Sequence, residues 1–137
     1  MKVFFDSSAW AKRYLEETGS EEVEKICFKA EAVILSILCV PEIISAFARL
    51  RRENKLSIQQ FTELKRVFLV EIEDTQLINI SSVIIKHSVE LLEQYSVRTL
   101  DALHIACAGA VEVDLFVTAD RRQMDAANAL GFAVHLV

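Results

Sequence analysis

Five short apolar runs punctuate this chain: Val3–Phe5, Ala32–Leu35, Gln76–Ile80, Leu115–Val117 and Ala133–Leu136. Each is the length of a strand, and the segments between them carry apolar residues at helical spacing. Neighbouring parallel strands need a crossover of about a dozen residues or more, and helices fill such crossovers. Val3–Phe5, Ala32–Leu35 and Leu115–Val117 are apolar throughout rather than alternating, which marks strands covered on both faces. The pattern therefore predicts an α/β fold with a central, mostly parallel five-stranded sheet between helical layers.

Local signals place the helices. Ser7 or Ser8 is expected to cap a first helix running to about Glu17, stopped by Thr18-Gly19, and Ser20 a second with Val23, Ile26, Cys27 and Ala30 on one face. A third helix starts near Cys39 to Glu42 with Pro41 in its first turn and ends in basic residues, Arg49, Arg51, Arg52 and Lys55. Ser57 caps the next, through about Ile72. Ser81 to Tyr95, a segment capped by Thr99, and Arg122 to Leu130 ended by Gly131 complete the set.

With 137 residues, one Pro and three Gly, the chain reads as a single domain over residues 1–137 without linkers. The richest apolar stretch, Ala32 to Leu50, is interrupted by Ser36, Pro41, Glu42, Ser45 and Arg49, too polar for a membrane span. The apolar run before Asp6 is too short for a signal-peptide core. A cytoplasmic protein with no membrane partner is the expectation. Cys27, Cys39 and Cys107 are odd in number and share no metal-binding spacing, so they are expected to be free thiols among apolar residues.

Four acids stand at the positions where open α/β sheets bind ligands, outside the carboxyl ends of the strands. Asp6 ends the first strand and Asp120 follows the fourth; Glu42 and Asp101 fall in first turns of helices, where the helix end favours an ionised carboxylate. Asp114 starts its strand, on the opposite rim, and serves as a control. Singly, Glu42 reads as a solvated charge and Asp101 as a helix-end charge. Together, the four acids would repel one another unless a cation neutralised them. Their all-oxygen chemistry favours Mg²⁺ or Mn²⁺, and no His/Cys cluster points to zinc. Of the three scattered histidines, His104 lies one helical step from Asp101 and is expected to be packed or hydrogen-bonded.

Such a centre suits phosphodiester hydrolysis. No Ser-His-Asp set is evident, and three glycines make no phosphate-cradling loop. A formal net charge of −5 argues against nucleic acid as a partner unless local charge reverses it. Lys12 and Arg13, Arg98, and Arg121 and Arg122 flank the acids in sequence and are candidates to meet phosphates, as is the Arg49 to Lys55 cluster. The alternative is pairing with surface glutamates or an acidic partner.

The acids also lie within four stretches that resemble a known family. Phe4-Phe5-Asp6-Ser7-Ser8-Ala9, Pro41-Glu42-Ile43-Ile44-Ser45-Ala46, Thr99-Leu100-Asp101-Ala102-Leu103-His104-Ile105-Ala106 and Phe116-Val117-Thr118-Ala119-Asp120-Arg121-Arg122 resemble, in order, the four motifs of PIN-domain proteins of the VapC toxin type. The resemblance implies a three-layer α/β/α fold and Mg²⁺- or Mn²⁺-dependent cleavage of RNA, with Asp6, Glu42, Asp101 and Asp120 as the catalytic and metal-binding acids. It places the Ser7 and Thr118 hydroxyls near the metal; Asp125 is a candidate fifth acid, and a solvated position in the last helix accounts for it equally well. It further implies a homodimer and a small antitoxin protein as partner. Three other readings compete. A receiver-like signalling domain lacks its middle-strand Asp and its Lys after Thr118; an aspartate-nucleophile phosphatase needs an Asp where Ser8 stands; and a PIN fold that only binds RNA or a partner would lack one of the acids.

Overall fold

The first apolar run forms β1 (Lys2–Phe5) and leads into a single helical turn, α1 (Ser7–Trp10), extended by a 3-10 turn over Ala11–Arg13. The computed structural model describes residues 1–137. There follow α2 (Ser20–Lys29), β2 (Ala32–Ser36), α3 (Cys39–Arg52), α4 (Ile58–Glu71), a 3-10 turn Ile72–Asp74, β3 (Gln76–Ile78), α5 (Ser82–Gln94), α6 (Thr99–Ala110), β4 (Leu115–Thr118), α7 (Arg121–Ala129) and β5 (Val134–Leu136).

All five strands expected from the apolar runs form, in the order β3-β2-β1-β4-β5, and every pairing is parallel. Because side chains alternate across a strand, one run supplies two cores. Val3, Phe5, Leu35 and Val117 face a core closed by Ala9, Trp10, Val23, Ile26, Ile43, Phe47 and Phe68. Phe4, Ile34 and Phe116 face the other, closed by Ile84, Leu91, Ala106, Ala126 and their neighbours. Helices α1 to α4 thus cover one face and α5 to α7 the other, giving the expected three layers. From β1 the chain winds outward first through β2 and β3, then returns to β4 and β5. The order reverses between β1 and β4, and that switch point opens a crevice at their carboxyl ends.

Some boundaries differ from the sequence expectation. The first helix stops at Arg13, not Glu17. Lys12 Nζ donates to the Thr18 carbonyl and Ser20 Oγ to that of Leu15, while the Glu17 N–H donates to Ser20 Oγ, so this segment bonds to the start of α2 instead of continuing a helix. The Tyr14 ring meets Phe47 and Phe68 edge-on and directs the chain toward α3 and α4. The cap of α1 is Asp6 rather than Ser7 or Ser8; Gly19 and Arg98, not Ser20 and Thr99, stand at the N-caps of α2 and α6. Strand β3 ends two residues early, at Ile78. Ser57 and Ser81 cap α4 and α5 as expected, the former in a capping box with Gln60. All three cysteines are free, Cys39 and Cys107 buried and Cys27 half-buried. No helix is long and apolar enough to cross a membrane.

Candidate active site

Asp6 sits at the switch point and is only 2% exposed. Its backbone leaves β1, and its side chain caps α1 by accepting from the Ala9 N–H at 2.8 Å. Ser8 Oγ donates to the same carboxylate, 2.7 and 2.9 Å from its two oxygens, and Thr118 Oγ1 donates to Oδ2 at 2.6 Å. Thr118 is the last residue of β4, so the two central strands are tied together at their carboxyl ends through this acid. Burial pushes the Asp6 pKa up, and the hydrogen bonds from Thr118, Ala9 and Ser8 offset only part of that.

Glu42, in the first turn of α3, reaches the same crevice. Its Oε1 accepts from Ser7 Oγ at 2.8 Å and lies 2.5 Å from His104 Nε2. Burial pushes this carboxyl up, but the hydrogen bonds from His104 and Ser7 outweigh it and hold the group below its ordinary range. His104 is buried in the middle of α6, with its ring edge-on to Phe4. Its Nδ1 has no hydrogen-bond partner, whereas Nε2 faces the carboxylate. With Nδ1 unpartnered, the ring meets Glu42 through Nε2, whose N–H donates to Oε1.

Asp101, in the first turn of α6, and Asp120, the N-cap of α7, face each other across the opening. Between them lies the Arg98 guanidinium. Nε donates to Asp101 Oδ2 at 3.0 Å and Nη2 to Asp120 Oδ2 at 3.1 Å. Asp120 also accepts from the Arg122 N–H at 2.8 Å, and its own N–H donates to Thr118 Oγ1 at 3.0 Å.

All four expected acids therefore line one small cavity of about 80 Å³, together with Ser7, Ser8, Arg98, His104 and Gln123 and with no hydrophobic residue. Asp114 lies at the opposite edge of the sheet, where it accepts from the Lys2 N–H. The other charged candidates lie outside this cavity. Asp125 is exposed and lies outside the cavity, beside Tyr95, Ser96 and Arg122. Lys12 and Arg13 do not line the cavity and pair with Glu17, Glu24 and Glu71. Arg121 is exposed at the start of α7 and does not line the cavity.

Two contributors escaped the sequence reading. Ser8 bridges β1 to the loop after β4, since its Oγ also accepts from the Ala119 N–H at 3.0 Å. Gln123 is buried one turn into α7, with Nε2 3.4 Å from the Asp101 carbonyl. Its only sequence signal is its position three residues after Asp120, which turns it to the same helix face.

The donor chemistry fits a hard divalent cation: four carboxylates, no thiolate, and polar walls throughout. No three Asp, Glu, His or Cys side chains converge as a ready-made ligand set, because the acids line the walls of the cavity and Arg98 stands between two of them.

A family model described as PIN domain matches residues 3–129. Ribonuclease VapC45 of Mycobacterium tuberculosis (strain CDC 1551 / Oshkosh) is 30% identical over 134 residues, covering 96% of this chain and 93% of the relative. Among solved structures, Mycobacterium tuberculosis VapC20, described as a sarcin-ricin loop cleaving toxin, superposes with a TM-score of 0.69 at 15% identity over 96% of each chain. A toxin–antitoxin complex from Klebsiella pneumoniae gives a TM-score of 0.69 at 16% identity over 89% of each chain.

Proposed function

The chain belongs to the PIN-domain family, and on that premise we propose that it is a Mg²⁺- or Mn²⁺-dependent endoribonuclease and the toxin member of a toxin–antitoxin pair. The observation that carries the reading is the convergence of Asp6, Glu42, Asp101 and Asp120 on one polar cavity at the carboxyl ends of β1 and β4. The ribonuclease name of the relative at 30% identity supports the substrate class. A structure of the same fold described as a toxin–antitoxin complex supports a small antitoxin protein as partner.

Each side chain has a distinct task in this reading. Asp6 is the fixed acceptor, held by donors from β4 and α1 so that its oxygens keep one orientation. Asp101 and Asp120 supply the more open oxygens. Glu42 is held through Oε1 by Ser7 and His104, which leaves Oε2 without a protein partner and available to the centre. Ser7 and Thr118 act by orienting acids. When bound, the cation supplies activation of a water, alignment of the scissile phosphate and neutralisation of charge on the leaving oxygen. Arg121 and Arg122, exposed beside the opening, are placed to contact flanking phosphates.

The test is cleavage of total RNA by purified, partner-free protein with Mg²⁺, Mn²⁺ or chelator, alongside Asp6→Ala and Asp101→Asn. Metal-dependent cutting by the wild type that both variants lose is the expected result. Folded protein that binds RNA without cutting it under any condition would favour the binding-only reading.

A further inference from the structure

Arg98 carries an arrangement that phosphate contact does not explain. It occupies the N-cap position of α6 in extended conformation and offers no cap to that helix. Its side chain reaches back over the cavity and spends two separate edges on two acids, Nε on Asp101 and Nη2 on Asp120, although these acids belong to different elements. The guanidinium is thus the positive charge of the metal-free cavity. A divalent cation on the same oxygens would face a like charge a few ångströms away.

We propose that Arg98 is a built-in counter-ion, which holds Asp101 and Asp120 together without metal and is displaced when the catalytic cation loads. The inference rests on the metal-site reading above. The Arg98 side chain is 67% exposed, so it has water to move into, and exposed ion pairs are weak enough to open at little cost. Lysine could not do the same job, since one ammonium lacks the rigid fork that spans two carboxylates. Loading is then an exchange of one cation for another, and the acids need not repel each other in the protein before it meets metal. The exchange also lowers the apparent metal affinity below what the four acids alone would give.

The experiment measures Mn²⁺ binding by calorimetry and by the Mn²⁺ spin-resonance signal, without RNA, for wild type, Arg98→Gln, Arg98→Lys, Asp6→Asn and Asp101→Asn. Thermal melts with and without Mn²⁺ run beside it. Arg98→Gln is expected to bind Mn²⁺ about 3- to 10-fold more tightly, within what its two exposed pairs together allow, to melt lower without metal, and to gain more on adding it. Arg98→Lys is expected between Arg98→Gln and wild type. Unchanged or weaker Mn²⁺ binding by Arg98→Gln, in a background where Asp6→Asn and Asp101→Asn abolish it, overturns the counter-ion role and leaves the metal site standing. Wild-type binding that ignores both Asp variants overturns the site reading and this inference with it.

Discussion

Asp6 shows how one carboxylate can be essential to a site and adverse to the fold. Three groups, Thr118, Ala9 and Ser8, donate to its carboxylate, yet burial still raises its pKa. A folded-state pKa above the unfolded one means that Asp6 favours folding fully only below the unfolded value, near 3.8, and that this contribution is lost as pH rises through the folded value. Glu42 has the opposite sign: its pKa is lowered, so its stabilising contribution is present above the unfolded value, near 4.5, and is lost as pH falls through the folded one. Asp6→Asn keeps one acceptor oxygen for the Ala9 N–H, turns its NH2 toward the Thr118 hydroxyl, which must then accept, and removes the buried charge. The metal-free variant is therefore expected to be more stable than wild type at pH 7, by on the order of 1 kcal/mol, while losing cleavage. Urea unfolding from pH 7 toward pH 4 checks this: the advantage should shrink as wild-type Asp6 takes up its proton. A variant less stable than wild type at neutral pH would show that the donors outweigh the desolvation.

At the scale of elements, the junction between α1 and α2 depends on Gly19. Its φ of +94° is in the left-handed region, and a Cβ there would lie 2.9 Å from the backbone carbonyl carbon of Val137. Gly19→Ala meets both penalties and is expected to cost about 2–3 kcal/mol, read as a fall in the urea midpoint, with cleavage by the remaining folded protein unchanged because the acids lie elsewhere. A loss below ~0.5 kcal/mol would mean that the junction relaxes freely. This junction is also where the sequence was hardest to read. Thr18-Gly19 marks the stop, and Ala9, Trp10, Ala11 and Tyr14 extend a helical period up to it. What ends the helix early is the Tyr14 ring against Phe47 and Phe68, contacts with residues 33 and more positions away that no local pattern encodes. The inner strands β1, β2 and β4 were legible for the opposite reason: a parallel strand buried on both faces is apolar over nearly its whole length. The acids were legible because strand ends and first helical turns are recognisable positions. Ser8 was not, because its bond to the Ala119 N–H spans 111 residues. For Arg98, adjacency to Asp101 was visible, but the second bond, to Asp120, exists only because β4 folds beside β1.

For the whole molecule the question that the nuclease reading raises is how a chain of net charge −5 would attract RNA. Local charge must do it, and the structure divides the basic residues sharply. Arg13 is bound to Glu24 and Glu71, Arg66 to Glu63, and Arg98 to two of the acids. Arg121 and Arg122 are exposed at the rim of the crevice and form no ion pair. The Arg49 to Lys55 cluster is exposed as well, but it lies at the far end of α3, on the order of 15 Å along the helix from Glu42, and Arg51 stacks on Phe61. Under the nuclease reading, phosphates next to the scissile bond meet the rim pair first. The double variant Arg121→Gln, Arg122→Gln is expected to lower kcat/KM mainly through KM, with kcat nearly kept, since neither side chain touches the acids' cavity. Each phosphate contact to a single strand contributes about 0.7 to the logarithmic salt dependence, so the slope should flatten by about 1.4. Measuring kcat/KM across a salt series for wild type, this variant and Arg51→Gln, Arg52→Gln separates the two paths. If the second variant flattens the slope and the first does not, RNA crosses the end of α3 and the rim pair has no part in holding it.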